Sequence, residues 1–226
     1  IYHLDYVTPL MTAVASVNLG SNAVVNALQW EKDGSYLAIG CRNESSGTAA
    51  LQTYKFTAYC TASGGGFDFT KISTADFGGS AAYVRTLAWS PDNNFIVAGG
   101  YSGGTSDDYE VKLYAVAEGM LSRLSDGNID FGATASGAYV SSLAWDPNQE
   151  YVLVGGYLYE NSRQFRLYKF DGSSLVVKQG SQHTFGTNAS SYVAALAWQP
   201  ARTFVVVGGY LPSNSKELWL MEFVAA

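Results

Sequence analysis

Four segments of the chain repeat one phrase in fixed register: ALQWEKDGSYLAIGCR, TLAWSPDNNFIVAGGY, SLAWDPNQEYVLVGGY and ALAWQPARTFVVVGGY. Their tryptophans, Trp30, Trp89, Trp145 and Trp198, stand 59, 56 and 53 residues apart. Ten residues after each comes a glycine (Gly40, Gly99, Gly155, Gly208). Two before each is a leucine (Leu28, Leu87, Leu143, Leu196), and five before each a valine (Val25, Val84, Val140, Val193). Sameness inside the phrase, with length variation outside it, means a rigid unit joined by tolerant loops.

Each phrase reads as two strands joined by a tight turn. Segments such as YVRTLAW carry apolar residues on both parities, and FIVA, YVLV and FVVV are continuous apolar runs, the pattern of strands buried on both faces. Between them Pro91, Pro147 and Pro200 stand where a type I turn favours a preset φ. The Gly-Gly pairs are expected to end the second strand, where a side chain would hinder the chain's exit. A third strand follows (LQTYKF, VKLYAV, FRLYKF, LWLMEF), more alternating and so farther from the core. A fourth segment closes at Phe77-Gly78, Phe131-Gly132 and Phe185-Gly186. Four antiparallel strands per unit at this period predict an all-β chain, a β-propeller built of four-stranded antiparallel blades. A β-sandwich leaves four copies in fixed register unexplained.

The pattern V-x-x-L-A-W-x-P followed by Val-Gly-Gly and a strand such as KLY resembles the first three strands of WD-repeat blades, and the resemblance covers nearly the whole chain. Two features depart from that family. Its Trp-Asp pair at the end of the third strand is replaced by Tyr54-Lys55, Tyr114-Ala115 and Tyr168-Lys169, and its Gly-His pair before the first strand is absent. The His-Asp relay that ties such blades together is therefore missing. The resemblance implies a non-enzymatic interaction platform that binds a protein or peptide on its loop face.

Residues 1–226 are expected to form a single propeller domain, with blades at 24–78, 83–132, 139–186 and 192–226, the last lacking its outermost strand. Residues 1–20 align without gaps to residues 167–186, so 1–23 are read as the outer strands of an incomplete blade. Two arrangements fit such ends. The amino-terminal strand completes the last blade of a four-bladed ring and removes its exposed edges, or the repeats belong to a larger ring, built from a longer chain or from two copies pooling their blades. The surplus third strand favours the second. Ile1 in first place points to a processed, trimmed or partial chain.

Charge narrows the classes of partner. With 13 Lys+Arg against 19 Asp+Glu, no basic face is available to release counterions from nucleic acid. No apolar run is long enough to span a membrane and no polybasic cluster suits acidic lipid, so a soluble protein is expected. Cys41 and Cys60 fall at opposite ends of the third strand, too far apart for a disulfide, and are expected as free thiols. Cys60 is placed beyond that strand, in an insertion ending GGG.

Candidate binding residues concentrate on one end of the propeller, where the loops between second and third strands and between fourth and first strands emerge. Tyr101, Tyr157 and Tyr210 follow the glycine pairs, with Arg42 in the odd unit; Tyr83, Tyr139 and Tyr192 open the first strands, with Val24 in the odd unit. Tyrosine among small polar residues suits recognition, whereas its repetition in three of four copies suits packing between neighbouring blades. Positions where the copies disagree add Asp107, Asp108, Tyr159, Glu160 and Lys216 as binding candidates. Asp107 and Asp108 with Glu110 could form a cation site, but a solvated loop is the plainer reading. His3 and His183 lie in outer strands of different units, no nucleophile has a base beside it, and no metal-ligand spacing occurs. No catalytic residue, metal or cofactor is expected. The expected partner is a protein or peptide. A glycan held in repeated shallow sites, a purely structural or assembly role, and self-association that completes the ring are the alternatives.

Overall fold

The computed structural model describes residues 2–4, 11–20, 22–42, 50–61, 64–79, 81–103, 109–132, 137–158, 163–212 and 217–224. Every regular element in them is a strand. A short pair, β1 (Tyr2–Leu4) and β2 (Met11–Ala13), precedes the repeats. The first blade comprises β3 (Val24–Trp30), β4 (Tyr36–Arg42), β5 (Leu51–Thr61) and β6 (Gly64–Ala75). The second comprises β7 (Tyr83–Trp89), β8 (Phe95–Tyr101), β9 (Val111–Ala117) and β10 (Met120–Ile129). The third comprises β11 (Tyr139–Trp145), β12 (Tyr151–Tyr157), β13 (Phe165–Phe170) and β14 (Leu175–His183). The fourth has β15 (Tyr192–Trp198), β16 (Phe204–Tyr210) and β17 (Leu218–Glu222). Within each blade consecutive strands pair antiparallel. The chain is a β-propeller arc.

The turn between the first two strands is built as its sequence implies. Asn93, Gln149 and Arg202 donate their backbone N–H to the carbonyls of Ser90, Asp146 and Gln199, closing turns with proline second. The residue four after each tryptophan is left-handed: Gly34 (φ 74°), Asn93 (64°), Gln149 (63°) and Arg202 (61°).

Two expectations about the phrase need correction. The glycine pairs do not end the second strand; they lie inside it, and the strand runs on to Tyr101, Tyr157 and Tyr210. They are glycines because of what stands beside them. A Cβ on Gly99 would come 2.6 Å from Val140 Cγ1 of the next blade, and one on Gly100 would strike the Tyr83 carbonyl of the paired strand. The apolar residues on both parities of the first strand reflect a β-bulge rather than burial on both faces alone. The register slips once between Val25 and Ala27, Val84 and Thr86, Val140 and Ser142, and Val193 and Ala195. That extra residue puts the valine and the leucine three places on upon one face.

That face makes the joint between blades, and the joint recurs three times. Gly40, Gly99 and Gly155 each receive the valine of the following blade, with the imagined Cβ 2.5, 2.6 and 2.6 Å from Val84, Val140 and Val193. The indole N–H of Trp89, Trp145 and Trp198 donates to the carbonyls of Gln29, Ala88 and Ala144, at 3.1, 3.0 and 3.2 Å. At the turn end the left-handed residue reaches back. Asn93 Nδ2 donates to Asp33 Oδ2 at 2.8 Å, Gln149 Oε1 accepts from Asp92 N at 3.1 Å, and Arg202 Nη2 donates to Asp146 Oδ2 at 2.9 Å. Arg202 Nε also lies 2.5 Å from Asp146 Oδ1, pairing a mostly covered guanidinium with a buried carboxylate.

Inside a blade the missing His-Asp relay has a substitute. Glu110, one residue before β9, is buried; its Oε2 accepts the Phe131 N–H at 2.8 Å and its Oε1 the Ser102 hydroxyl at 3.2 Å. Gln164 does the same in the third blade, accepting from Phe185 N at 2.9 Å and donating to the Gly186 carbonyl at 2.8 Å. The start of the third strand is thereby tied to the Phe-Gly that closes the blade. Tyr54, Tyr114 and Tyr168, at the positions of the WD tryptophan, are buried.

Cys60 is not beyond the third strand but within β5, paired with Gly65; the insertion lengthens β5 and β6 into a projecting hairpin. Cys41 and Cys60 are not joined to each other; Cys41 is buried and Cys60 exposed. Among the described residues β1 pairs only with β2, and β17 only with β16.

Candidate functional site

The ends of the inner strands form a concave mouth of about 440 Å³, lined by Val24, Asn26, Arg42, Tyr83, Arg85 and Ser141. Asn26, Arg85 and Ser141 are the bulged residues of β3, β7 and β11, each the extra residue where the register slips. They also bridge blades. Asn26 Nδ2 donates to the Val84 carbonyl at 2.9 Å, Ser141 Oγ donates to the Val193 carbonyl, and the Arg85 guanidinium lies 4.6 Å over the Tyr139 ring. The equivalent residue of the fourth blade is Ala194.

Tyr83 lines the mouth, and at the same strand ends tyrosines stand in pairs. Tyr83 and Tyr101 have ring centroids 5.8 Å apart, Tyr139 and Tyr157 5.5 Å, Tyr192 and Tyr210 5.8 Å. Each pair lies within one blade, first strand against second, where packing between neighbouring blades was expected. The backbone makes the cross-blade link instead: Arg42 bridges to Tyr83 and Tyr157 to Tyr192. Burial pushes the Tyr139 hydroxyl above its ordinary range; Arg85 opposes this and the neighbouring tyrosines add to it. The hydroxyl is thus neutral, able both to donate and to accept.

Four sequence candidates, Arg42, Tyr101, Tyr157 and Tyr210, stand at this one end of the inner and second strands. Arg42 and Tyr210 are exposed, and Tyr101 and Tyr157 are half-buried. Asp107, Asp108, Tyr159, Glu160 and Lys216 lie outside the described residues. Glu110 is not a solvated loop residue or a cation ligand, because both carboxylate oxygens are engaged inside the blade. His183 stacks on Phe165, with centroids 4.9 Å apart, in the outer strands. Among the described residues no three His, Cys, Asp or Glu come together as metal ligands would, and no helix is long and apolar enough to cross a membrane. Sequence reasoning missed Asn26, Arg85 and Ser141. Their signal was the valine-to-leucine spacing of three, which an unbulged strand cannot put on one face.

Comparison with known proteins places this geometry. The model of the WD domain, G-beta repeat, matches residues 71–114, from within β6 to the buried Tyr114 of β9. A 74-residue stretch is 35% identical to a chromatin assembly factor 1 subunit from Saccharomyces cerevisiae, covering 33% of this chain and 13% of that protein. Among solved structures, 99% of the chain superposes on a putative 6-phosphogluconolactonase from Bacteroides uniformis, with TM-score 0.70 and 14% identity, over 60% of that chain. The periplasmic gluconolactonase PpgL of Pseudomonas aeruginosa gives TM-score 0.65 and 16% identity, with 100% of this chain on 64% of that one. Sqt1 from Chaetomium thermophilum gives 0.58 and 17%, with 92% on 47%. At such identities the superpositions establish the fold alone, and the chain spans less than two thirds of the length of these proteins. Repeated phrase, inter-blade joint, family match and superposition converge: the chain is a WD-repeat-like β-propeller.

Proposed function

We propose that the chain is a non-enzymatic interaction platform that takes a protein or peptide segment at the mouth of its inner strands. One observation carries this reading: in a chain of formal net charge −6, two arginines, Arg42 and Arg85, converge with Tyr83 on a concavity of about 440 Å³. Arginine and tyrosine are the residue types that anchor protein interfaces, through bidentate hydrogen bonds and rigid apolar area. A segment carrying a carboxylate beside an aromatic or apolar residue fits that chemistry. Arg42 then lines the mouth, with Tyr101, Tyr157 and Tyr210 at the same strand ends as further contacts; Asp107, Asp108, Tyr159, Glu160 and Lys216 are proposed contacts outside the described residues. The similarity to part of a chromatin assembly factor supports a protein partner. The gluconolactonase superpositions carry no argument for catalysis, and the described residues lining the mouth include neither histidine nor carboxylate.

Selection from a random peptide library tests the proposal. Enriched peptides should be acidic, and Arg85→Ala should weaken their binding by about tenfold or more. Peptides whose affinity is indifferent to both Arg85→Ala and Arg42→Ala would sink it. The three tyrosine pairs, one in each of the second, third and fourth blades, favour a second reading, a glycan held in repeated shallow sites. A glycan array showing weak, multivalent binding that falls with each tyrosine removed would establish that reading instead.

A further inference from the structure

The two outer strands of the first blade are longer than their counterparts. β5 and β6 run to 11 and 12 residues, against 7 and 10 for β9 and β10 and 6 and 9 for β13 and β14, and the excess stands clear of the blade. Its base is held on both sides. Lys55 is the last residue of β5 paired with β4, opposite Tyr36, and Phe56 donates its N–H to the Ser35 carbonyl at 2.8 Å. On the other side the Ser73 hydroxyl of β6 accepts the Leu121 N–H of β10 at 3.2 Å. Beyond these ties, residues 57–61 and 64–70 form a two-stranded ribbon that pairs only with itself among the described residues. Ala58, Tyr59, Cys60, Phe67 and Asp68 are exposed along it. Two strands alone are marginal in water, and further strands are what stabilise them.

The edge of this ribbon is open where the others are interrupted. Natural sheets blunt their edges with charge or with a bulge. The register of β10 slips between Leu124 and Ile129, and that of β14 slips opposite Arg166 and Tyr168, with Lys178 and left-handed Gly180 (φ 80°) inside the slip. The slip in β6 lies between Lys71 and Ser73, short of the ribbon. From Gly64 to Thr70 the edge is regular and bears one charge, Asp68.

We propose that this edge of β6 pairs with the same edge of a second copy of the chain, antiparallel about a two-fold axis, to build a four-stranded sheet. The sequence of the edge selects this occupant because it complements itself. A two-fold axis normal to the sheet keeps every residue on its own face, so it must pass beside a single residue and its symmetry mate. Centred on Asp68 it would set like charges opposite each other, and centred on Gly66 it would pair glycine with glycine. Centred on Phe67 it brings the two Phe67 rings together, Phe69 of each copy across Gly65 of the other, and Asp68 across Gly66. The hairpin already lays a ring across a glycine in this way: Tyr59 covers its partner Gly66, with ring atom Cζ 2.7 Å from where a Cβ would stand. Antiparallel overlap of residues 64–70 extends over about 24 Å and leaves the two propellers at opposite ends of the shared sheet. Such an edge buries less than the roughly 1,200 Å² of stable complexes, so the dimer forms and parts with concentration. β5 runs from the mouth end to the turn end, so the ribbon points away from the mouth and pairing leaves both mouths open. The pairing does not depend on what the mouth binds.

Sedimentation of the full-length protein from about 1 μM to about 1 mM tests the proposal. The mass is expected to rise from one chain toward two, and amide hydrogens of residues 64–70 to exchange more slowly at the upper concentration. Phe67→Glu and Phe67→Lys should each stay at one chain, because the axis sets each charge against its own copy. Mixed in equal amounts the two variants should recover the dimer, which a partner strand of another protein, or pairing through the β5 edge, would not produce. A single-chain mass at every concentration, a doubled mass with unchanged exchange at residues 64–70, a dimer that survives both substitutions, or a mixture that stays at one chain would each overturn it.

Discussion

At the scale of single residues, the joint leaves no slack. A Cβ on Gly99 would press on Val140 at 2.6 Å and Leu143 at 3.0 Å. Gly99→Ala should therefore destabilise by about 1–3 kcal/mol, the usual cost of overpacking, measured as a fall in urea midpoint at unchanged slope. The cysteines differ as sharply. Burial pushes the Cys41 thiol up, with a Gln52 hydrogen bond opposing, and the side chain has no exposed surface. Cys60 is exposed on the hairpin. One thiol equivalent is expected to react in the native protein and a second only in denaturant; two native equivalents would contradict the burial of Cys41. The glycines and tryptophans were legible because they repeat. Asn26, Arg85, Ser141 and Ala194 were not, since one position holds four different side chains and only the backbone bulge unites them.

At the scale of the strand and its ties, Glu110 and Gln164 do the work of the absent relay. Removing Gln164 leaves the N–H of buried Phe185 without its acceptor, a loss of about 1–3 kcal/mol. Gln164→Ala should show that loss by chemical denaturation, and Gln164→Glu, which keeps the acceptor for Phe185 but sets a buried carboxylate oxygen against the Gly186 carbonyl, should recover little of it at neutral pH. Such ties were half legible. Both residues stand four before a buried tyrosine, but the first and fourth blades have Ala50 and Glu217 at that place, so no pattern declared itself. Strand order was fully legible, because an apolar run, a proline turn and a glycine pair punctuate the second, third and fourth blades and the first keeps their spacing. The insertion ending GGG was placed beyond the third strand, because GGG and Ser suggest breakage, while Phe69 stacked on Tyr54 and Phe67 on Phe56 in fact continue the hairpin of β5 and β6.

At the scale of the whole arc, the turn end is charged and the loop end is aromatic, so the two respond differently to pH. Burial alone would raise Asp92, but hydrogen bonds from Ser90, Gln149 and Asn94 outweigh it and hold the carboxyl below its ordinary range. A carboxyl depressed on folding contributes stability above its unfolded value, about 3.9, and loses it as pH falls through the folded value. Melting temperature should drop below about pH 4, and Asp92→Asn should flatten part of that drop; equal acid sensitivity in the variant would count against it. The joint also has a direction. In every case the earlier blade holds the glycine slot and the later one brings valine, leucine and the indole donor. A ribosome making this chain therefore releases the keys of Trp89, Trp145 and Trp198 each to a seat already built. A growing chain stopped between blades ends on an open groove rather than on an unburied tryptophan, so synthesis and assembly can run in step, one blade at a time.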